Sequence, residues 1–123
     1  MIKNGLKIIA IFGALGVILG AFGAHGLKSK IEPASLQSYQ TGVLYHFIHT
    51  LAMAFIFLYH QHKPSKSLER AFVLMCIGIV IFSGSLYGMA FGNAMGVNLN
   101  FLGPITPIGG VAFVVGWAMM VKG

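Results

Sequence analysis

Two histidines three residues apart, His46 and His49, sit inside the apolar run VLYHFIHTLAMAFIFL at residues 43–58. On a helix that spacing puts both imidazoles on one face. An ionisable side chain is costly in hydrocarbon, so each must be hydrogen-bonded, paired or turned toward a polar cavity. Neutral imidazole binds transition metals and titrates near neutral pH, and histidines on facing helices can hold haem iron. With His25 as a third donor, His46 and His49 are the candidate metal or haem ligands, and Ser83, Ser85, Tyr87 and Thr106 are the polar groups that would support them. The site lacks a carboxylate or thiolate, and an i,i+3 histidine pair alone is a weak metal signal. No cofactor is the first expectation; haem or a transition metal is the alternative.

The other candidates for chemistry are weaker. His60 and His62 lie beside Lys63, Lys66 and Arg70 without the spacing of a zinc helix, and read as a solvated rim cluster. Histidine beside Ser83 or Ser85 is formally a base and a nucleophile, but Glu32 and Glu69 belong to links and no acidic group orients the pair. Catalysis is not expected.

Composition says what must carry these groups. The chain is 57% hydrophobic and only 8% charged, with a mean hydropathy of +0.85, whereas about a quarter of the residues of a soluble domain are charged. The reading is an all-α, four-helix transmembrane bundle in one domain, residues 1–123, with helices at about 6–26, 41–60, 68–91 and 104–122. The basic start and following apolar stretch could pass for a secretory signal, but they read as the first helix. Gly13, Gly16, Gly20 and Gly23 line one of its faces, where a neighbouring helix can approach closely. Gly26 suits its C-terminal stop, with His25 in the favourable last turn.

Pro33 suits the start of the next helix, and Leu36, Tyr39, Val43 and Phe47 make a short amphipathic lead-in near the interface, with Gly42 as a candidate bend. Ser67 is the expected cap of helix three, and residues 92–100 read as a loop. The last helix poses a length problem. From Pro107, capped by Thr106, to Lys122 it reaches only ~24 Å. Either it starts at Pro104 with a distortion at Pro107, or residues 102–106 enter the membrane as shielded irregular backbone. Trp117 to Lys122 then marks the opposite interface.

The net charge of +6, from eight Lys and Arg against two acids, reflects topology rather than nucleic-acid binding. Four crossings put Lys3, Lys7, Lys63, Lys66, Arg70 and Lys122 on the side of the termini and Lys28 and Lys30 on the other, so the positive-inside bias predicts cytoplasmic termini. His46, Tyr87, Thr106 and His25 then share the outer half with Ser83 and His49, the latter about eight residues or ~12 Å deep. Cys76 lies alone in an apolar run and supports no disulfide.

The segments GAFGAHGL, YHFIHTLA, FSGSLY and GPITPIGG, followed by the late Gly116-Trp117, run through nearly the whole chain in order. Together they resemble domain of unknown function 423, a family of small membrane proteins related to the eukaryotic transmembrane protein 256. The resemblance implies a bacterial cytoplasmic (inner) membrane protein with four helices and no established activity. Its recurrent blocks fall on His25, His46, Ser83, Ser85, Tyr87, Thr106 and Pro107, as either a common site or a common packing core. The first functional expectation is a structural or accessory subunit, surrounded by the lipid bilayer and associated as a homo-oligomer or within a larger complex. The alternative is a histidine-lined site in the outer half for a metal, haem, proton or small solute.

Overall fold

Backbone polar groups in hydrocarbon must bond within their own segment, which makes the helix the spanning element for apolar runs of this length. A computed structural model, describing residues 2–123, shows four: α1 (Gly5–Leu27), α2 (Pro33–His62), α3 (Lys66–Ala94) and α4 (Asn100–Met120). The protein is an all-α, four-helix transmembrane bundle. The helices run alternately up and down. Gly5 of α1 meets Phe57 near the end of α2, and the Ser67 hydroxyl at the start of α3 donates to the Met119 carbonyl of α4 at 2.5 Å. Both chain ends and the α2–α3 turn therefore lie at one end, called here the terminal end. The central pair is α2 and α3, with α1 packed on α2 and α4 on α3.

Local chemistry moves several expected boundaries. The helix α2 begins with Pro33 in its first turn and runs unbroken through Gly42. The amphipathic lead-in is thus its first three turns, and Tyr39 is fully buried rather than interfacial. Gly42 permits contact instead of a bend: a Cβ there would stand 3.2 Å from Leu86 and 3.3 Å from Tyr87. Ser65, not Ser67, caps α3, its hydroxyl accepting from the Leu68 N–H at 3.3 Å. Ser67 is used across the bundle, as described above.

Two helices change pitch rather than stop. α1 passes Gly26 in a π turn, Gly23–Leu27, and α3 contains another at Ile79–Ser83. α4 opens as a 3-10 helix, Asn100–Ile105, that continues directly into an α-helix at Thr106–Met120. Thr106 is therefore inside the element instead of capping it. At ~2.0 Å per residue the 3-10 turns add the missing length.

The two ends of the bundle differ in content. Toward the terminal end, Ala52, Met53 and Ile56 of α2 pack on Leu68, Ala71, Phe72, Met75 and Ile79 of α3 and on Phe113 of α4. Toward the far end, Leu27, Ile31, Tyr39, Tyr87 and Ala90 form a smaller cluster. Glycines set the closest approaches. Gly78 faces the ring of Phe113, Gly116 faces Leu74 and Met75, and a Cβ on Gly109 would collide with the backbone of Phe82. Of the α1 stripe, Gly16, Gly20 and Gly23 do face Phe47, Val43 and Tyr39 of α2, whereas Gly13 faces open space.

Candidate functional site

His46 is 2% exposed, at the junction of three helices. Its Nε2 lies 2.7 Å from the Phe12 carbonyl of α1 and its Nδ1 lies 2.8 Å from the Tyr87 hydroxyl of α3. A carbonyl only accepts, so Nε2 carries the proton and donates, leaving Nδ1 to accept from Tyr87. One imidazole thereby joins α1, α2 and α3. Just below it, the Thr50 hydroxyl donates back to the His46 carbonyl at 2.7 Å.

His49 turns to a different neighbour. The Trp117 indole N–H of α4 donates to its Nε2 at 3.0 Å, and its Nδ1 lies 2.7 Å from the Tyr45 carbonyl. Indole is a donor only, which fixes His49 as neutral with its proton on Nδ1. The ring stacks on Phe113 with centroids 3.6 Å apart and planes 13° apart. His49 lines a groove of about 570 Å³ bordered by α2, α3 and α4, together with Tyr45, Phe82, Val114 and Trp117. Because α2 starts at Pro33, His49 stands ~24 Å from its beginning at ~1.5 Å per residue, deeper than the ~12 Å expected from the sequence.

The remaining polar candidates clip helices together. The Ser83 hydroxyl donates to the Gly42 carbonyl at 2.7 Å, joining α3 to α2. Ser85 and Thr106 share a 2.5 Å bond between α3 and α4. The Tyr39 hydroxyl donates to the Leu19 carbonyl, joining α2 to α1. Among the described residues, no buried side-chain nitrogen or oxygen lacks a hydrogen-bond partner.

The structure thus does not bring the three candidate ligands together. His46 faces α1 and α3, His49 faces α4, and His25 is exposed on the π turn of α1. No cluster of three histidine, cysteine or acidic side chains with metal-binding geometry occurs among the described residues. Of the supporting groups only Tyr87 touches a histidine. His60 departs from the solvated rim cluster: it is buried, with its Nε2 3.4 Å from Glu69.

Four participants escaped the sequence reading. Trp117, read as an interface marker, is the donor to His49. Tyr39, read as part of a lead-in, closes the α1–α2 contact. The Phe12 and Leu19 carbonyls carry no side-chain signal at all, although the glycines opposite Tyr39 and Phe47 marked where the two backbones come close.

His46, His49, Ser83, Ser85, Tyr87 and Thr106 all fall within residues 19–110, which match the family described as protein of unknown function (DUF423). The chain belongs to this family. It is 43% identical over 121 residues to the UPF0382 membrane protein YwdK of Bacillus subtilis (strain 168), covering 94% of each chain. It is 39% identical over 118 residues to the UPF0382 inner membrane protein YgdD of Escherichia coli (strain K12), covering 96% of this chain and 86% of the relative. A Staphylococcus saprophyticus relative, UPF0382 membrane protein SSP2132, is 38% identical over 122 residues. No solved structure matches. For this DUF423 chain the relatives' names supply a membrane location and no activity.

Proposed function

We propose that this protein is a structural or accessory subunit of the bacterial cytoplasmic membrane, a preformed four-helix module that packs within a homo-oligomer or a larger complex and performs no chemistry of its own. The observation that carries this reading is the fate of the polar residues. His46, His49, Ser83, Ser85, Tyr87 and Thr106 each spend their polar atoms on another part of the chain, five of those bonds running between helices. In lipid such bonds orient helices that apolar contact alone would leave free to slide. The positive-inside bias supports cytoplasmic termini.

The test is in-membrane crosslinking of the chain tagged at its native expression level, followed by separation in mild detergent. A defined species larger than the monomer is expected, and its composition should survive His46→Asn at a temperature where the variant is folded. Monomer alone in the membrane and in detergent would overturn the reading.

A second reading, a solute or metal site at His49, draws on the aromatic groove that this imidazole helps to line. Ligation by either His46 or His49 requires breaking one of its present bonds. Elemental analysis for iron, copper, zinc and manganese, run beside a folded His46→Ala/His49→Ala variant, separates the two. Near-stoichiometric metal lost in the variant would replace the accessory-subunit reading with this one; equal, trace metal in both would remove the metal form of it.

A further inference from the structure

A second recess lies away from the histidine clips, at the terminal end, where the first turn of α1 meets the last turns of α2. Its volume is about 600 Å³, and its walls include Asn4, Leu6, Lys7, Phe57, His60 and Gln61. The close contact of Gly5 with the Phe57 ring seals its base, since a Cβ at Gly5 would collide with that ring. The recess is divided by chemistry. Leu6, 68% exposed, and Phe57 supply apolar lining, while Asn4, Lys7 and Gln61 offer hydrogen-bond donors.

Of the two basic side chains in this recess, His60 is answered by Glu69 and Lys7 is not. The chain contains only two carboxylate side chains. Glu32 immediately precedes α2, at the opposite end, and Glu69 is held by His60 at 3.4 Å and Lys66 at 4.0 Å. Among the described residues, Lys7 is paired with neither. The first turn of α1 contains no acidic side chain, and Asn4, in a left-handed conformation at φ 57°, makes no side-chain cap. The Asn4 amide is thus left free for another partner, and the positive end of the α1 dipole adds to the field of Lys7.

We infer that this recess between α1 and α2 holds the headgroup of one anionic phospholipid, its phosphate against Lys7 and its polar neighbours Asn4 and Gln61, with an acyl chain descending along Leu6 and Phe57. Two features together select a lipid over a soluble phosphate. A cation with hydrogen-bond donors recognises the phosphodiester, and the exposed Leu6 beside Phe57 offers an acyl chain an apolar wall that a soluble phosphate would not use. A basic pocket between helices at the membrane surface is a recurrent anionic-lipid site. This inference is independent of the accessory-subunit reading and stands or falls by different measurements.

The experiment is native mass spectrometry of the delipidated full chain in nonionic detergent, titrated with dioleoyl phosphatidylglycerol, dioleoyl phosphatidylcholine or glycerol 3-phosphate. One equivalent of phosphatidylglycerol is expected to bind in preference to the other two. Loss of one lysine near a headgroup is expected to weaken it about fivefold in Lys7→Gln, and Lys7→Arg should retain it. Lys63→Gln and Lys122→Gln remove the same charge from the same end of the bundle, outside the recess, and should change affinity less than about twofold on the same scale. Equal losses in all three glutamine variants would replace the site with a diffuse field. Equal affinity for phosphatidylcholine, or binding of glycerol 3-phosphate as strong as that of the lipid, would overturn the proposal outright. Lys7 is exposed, so folding of these variants is checked by an unchanged melting temperature.

Discussion

Toward its terminal end the bundle is joined mainly by side chains that fill space, Ser67 and His60 excepted, and toward its far end by side chains that also point. Met53, Ile56, Phe72 and Met75 are buried without a polar atom capable of a strong bond, and in lipid their contact supplies dispersion but little hydrophobic drive, because the alternative partner is equally apolar. Around His46, Ser83 and Ser85, each bond demands one partner atom at one distance. The two regions therefore answer different needs. Packing brings the central helices together, and the clips choose the rotation and height at which they stop.

Substitutions can break this contrast at its strongest point first. Gly109→Ala is expected to cost about 3 kcal/mol by forcing α4 off the α3 backbone, read as reversible unfolding in detergent. A mild effect would mean that the clips, not the close approach of backbones, hold α3 to α4. His46→Ala should cost about 2 kcal/mol, because it removes the buried bonds to the Tyr87 hydroxyl and the Phe12 carbonyl together. Amide exchange at α1 reads the same event locally, and should rise in α1 before α4 if His46 is the junction of α1 with the central pair.

In the apolar half, Ile56→Val is expected to cost about 1 kcal/mol through the small void it leaves, with no helix-specific rise in exchange. Selective loosening of one helix there would erase the distinction between filling and pointing. Trp117→Phe should be the mildest, about 0.6 kcal/mol for one bond in lipid with the ring retained. Its companion readout is the imidazole nitrogen chemical shift of His49, which should lose the signature of an accepted N–H. An unchanged shift would show that Trp117 does not set the His49 tautomer.

How much of this was readable beforehand depended on whether the signal was local. The four spans follow from apolar length, and the α1–α2 approach from Gly16, Gly20 and Gly23, since absent side chains are visible in a sequence. The start of α2 was displaced because Ser35, Gln37, Ser38 and Gln40 look like an interface, yet the hydroxyl of Ser38 simply donates back to the Ala34 carbonyl at 3.3 Å within a continuous helix. The histidines were singled out correctly as costly groups needing partners. Their partners were not, because Phe12 and Tyr45 contribute carbonyls, which every residue possesses, and Trp117 is 68 positions from His49. An i,i+3 spacing placed two rings on one side of a helix, but that side is wide enough for one to reach α1 and α3 and the other α4.

The π turn at Ile79–Ser83 has a consequence for what this chain tolerates. A π turn accommodates one more residue than the α-helical count, and each residue of an α-helix advances the face by about 100°. Ser83, Ser85 and Tyr87 meet their partners only because that surplus residue has been counted in. Replacing Val80, which is 62% exposed, alters one surface group, and deleting it would return the turn to α-helical pitch with Ser83 onward near their present bearing. A deletion in the regular helix after Ser83 would instead swing the following side chains by about 100°. Within the π turn the protein can give up a residue and keep its bearings; beyond it, it cannot.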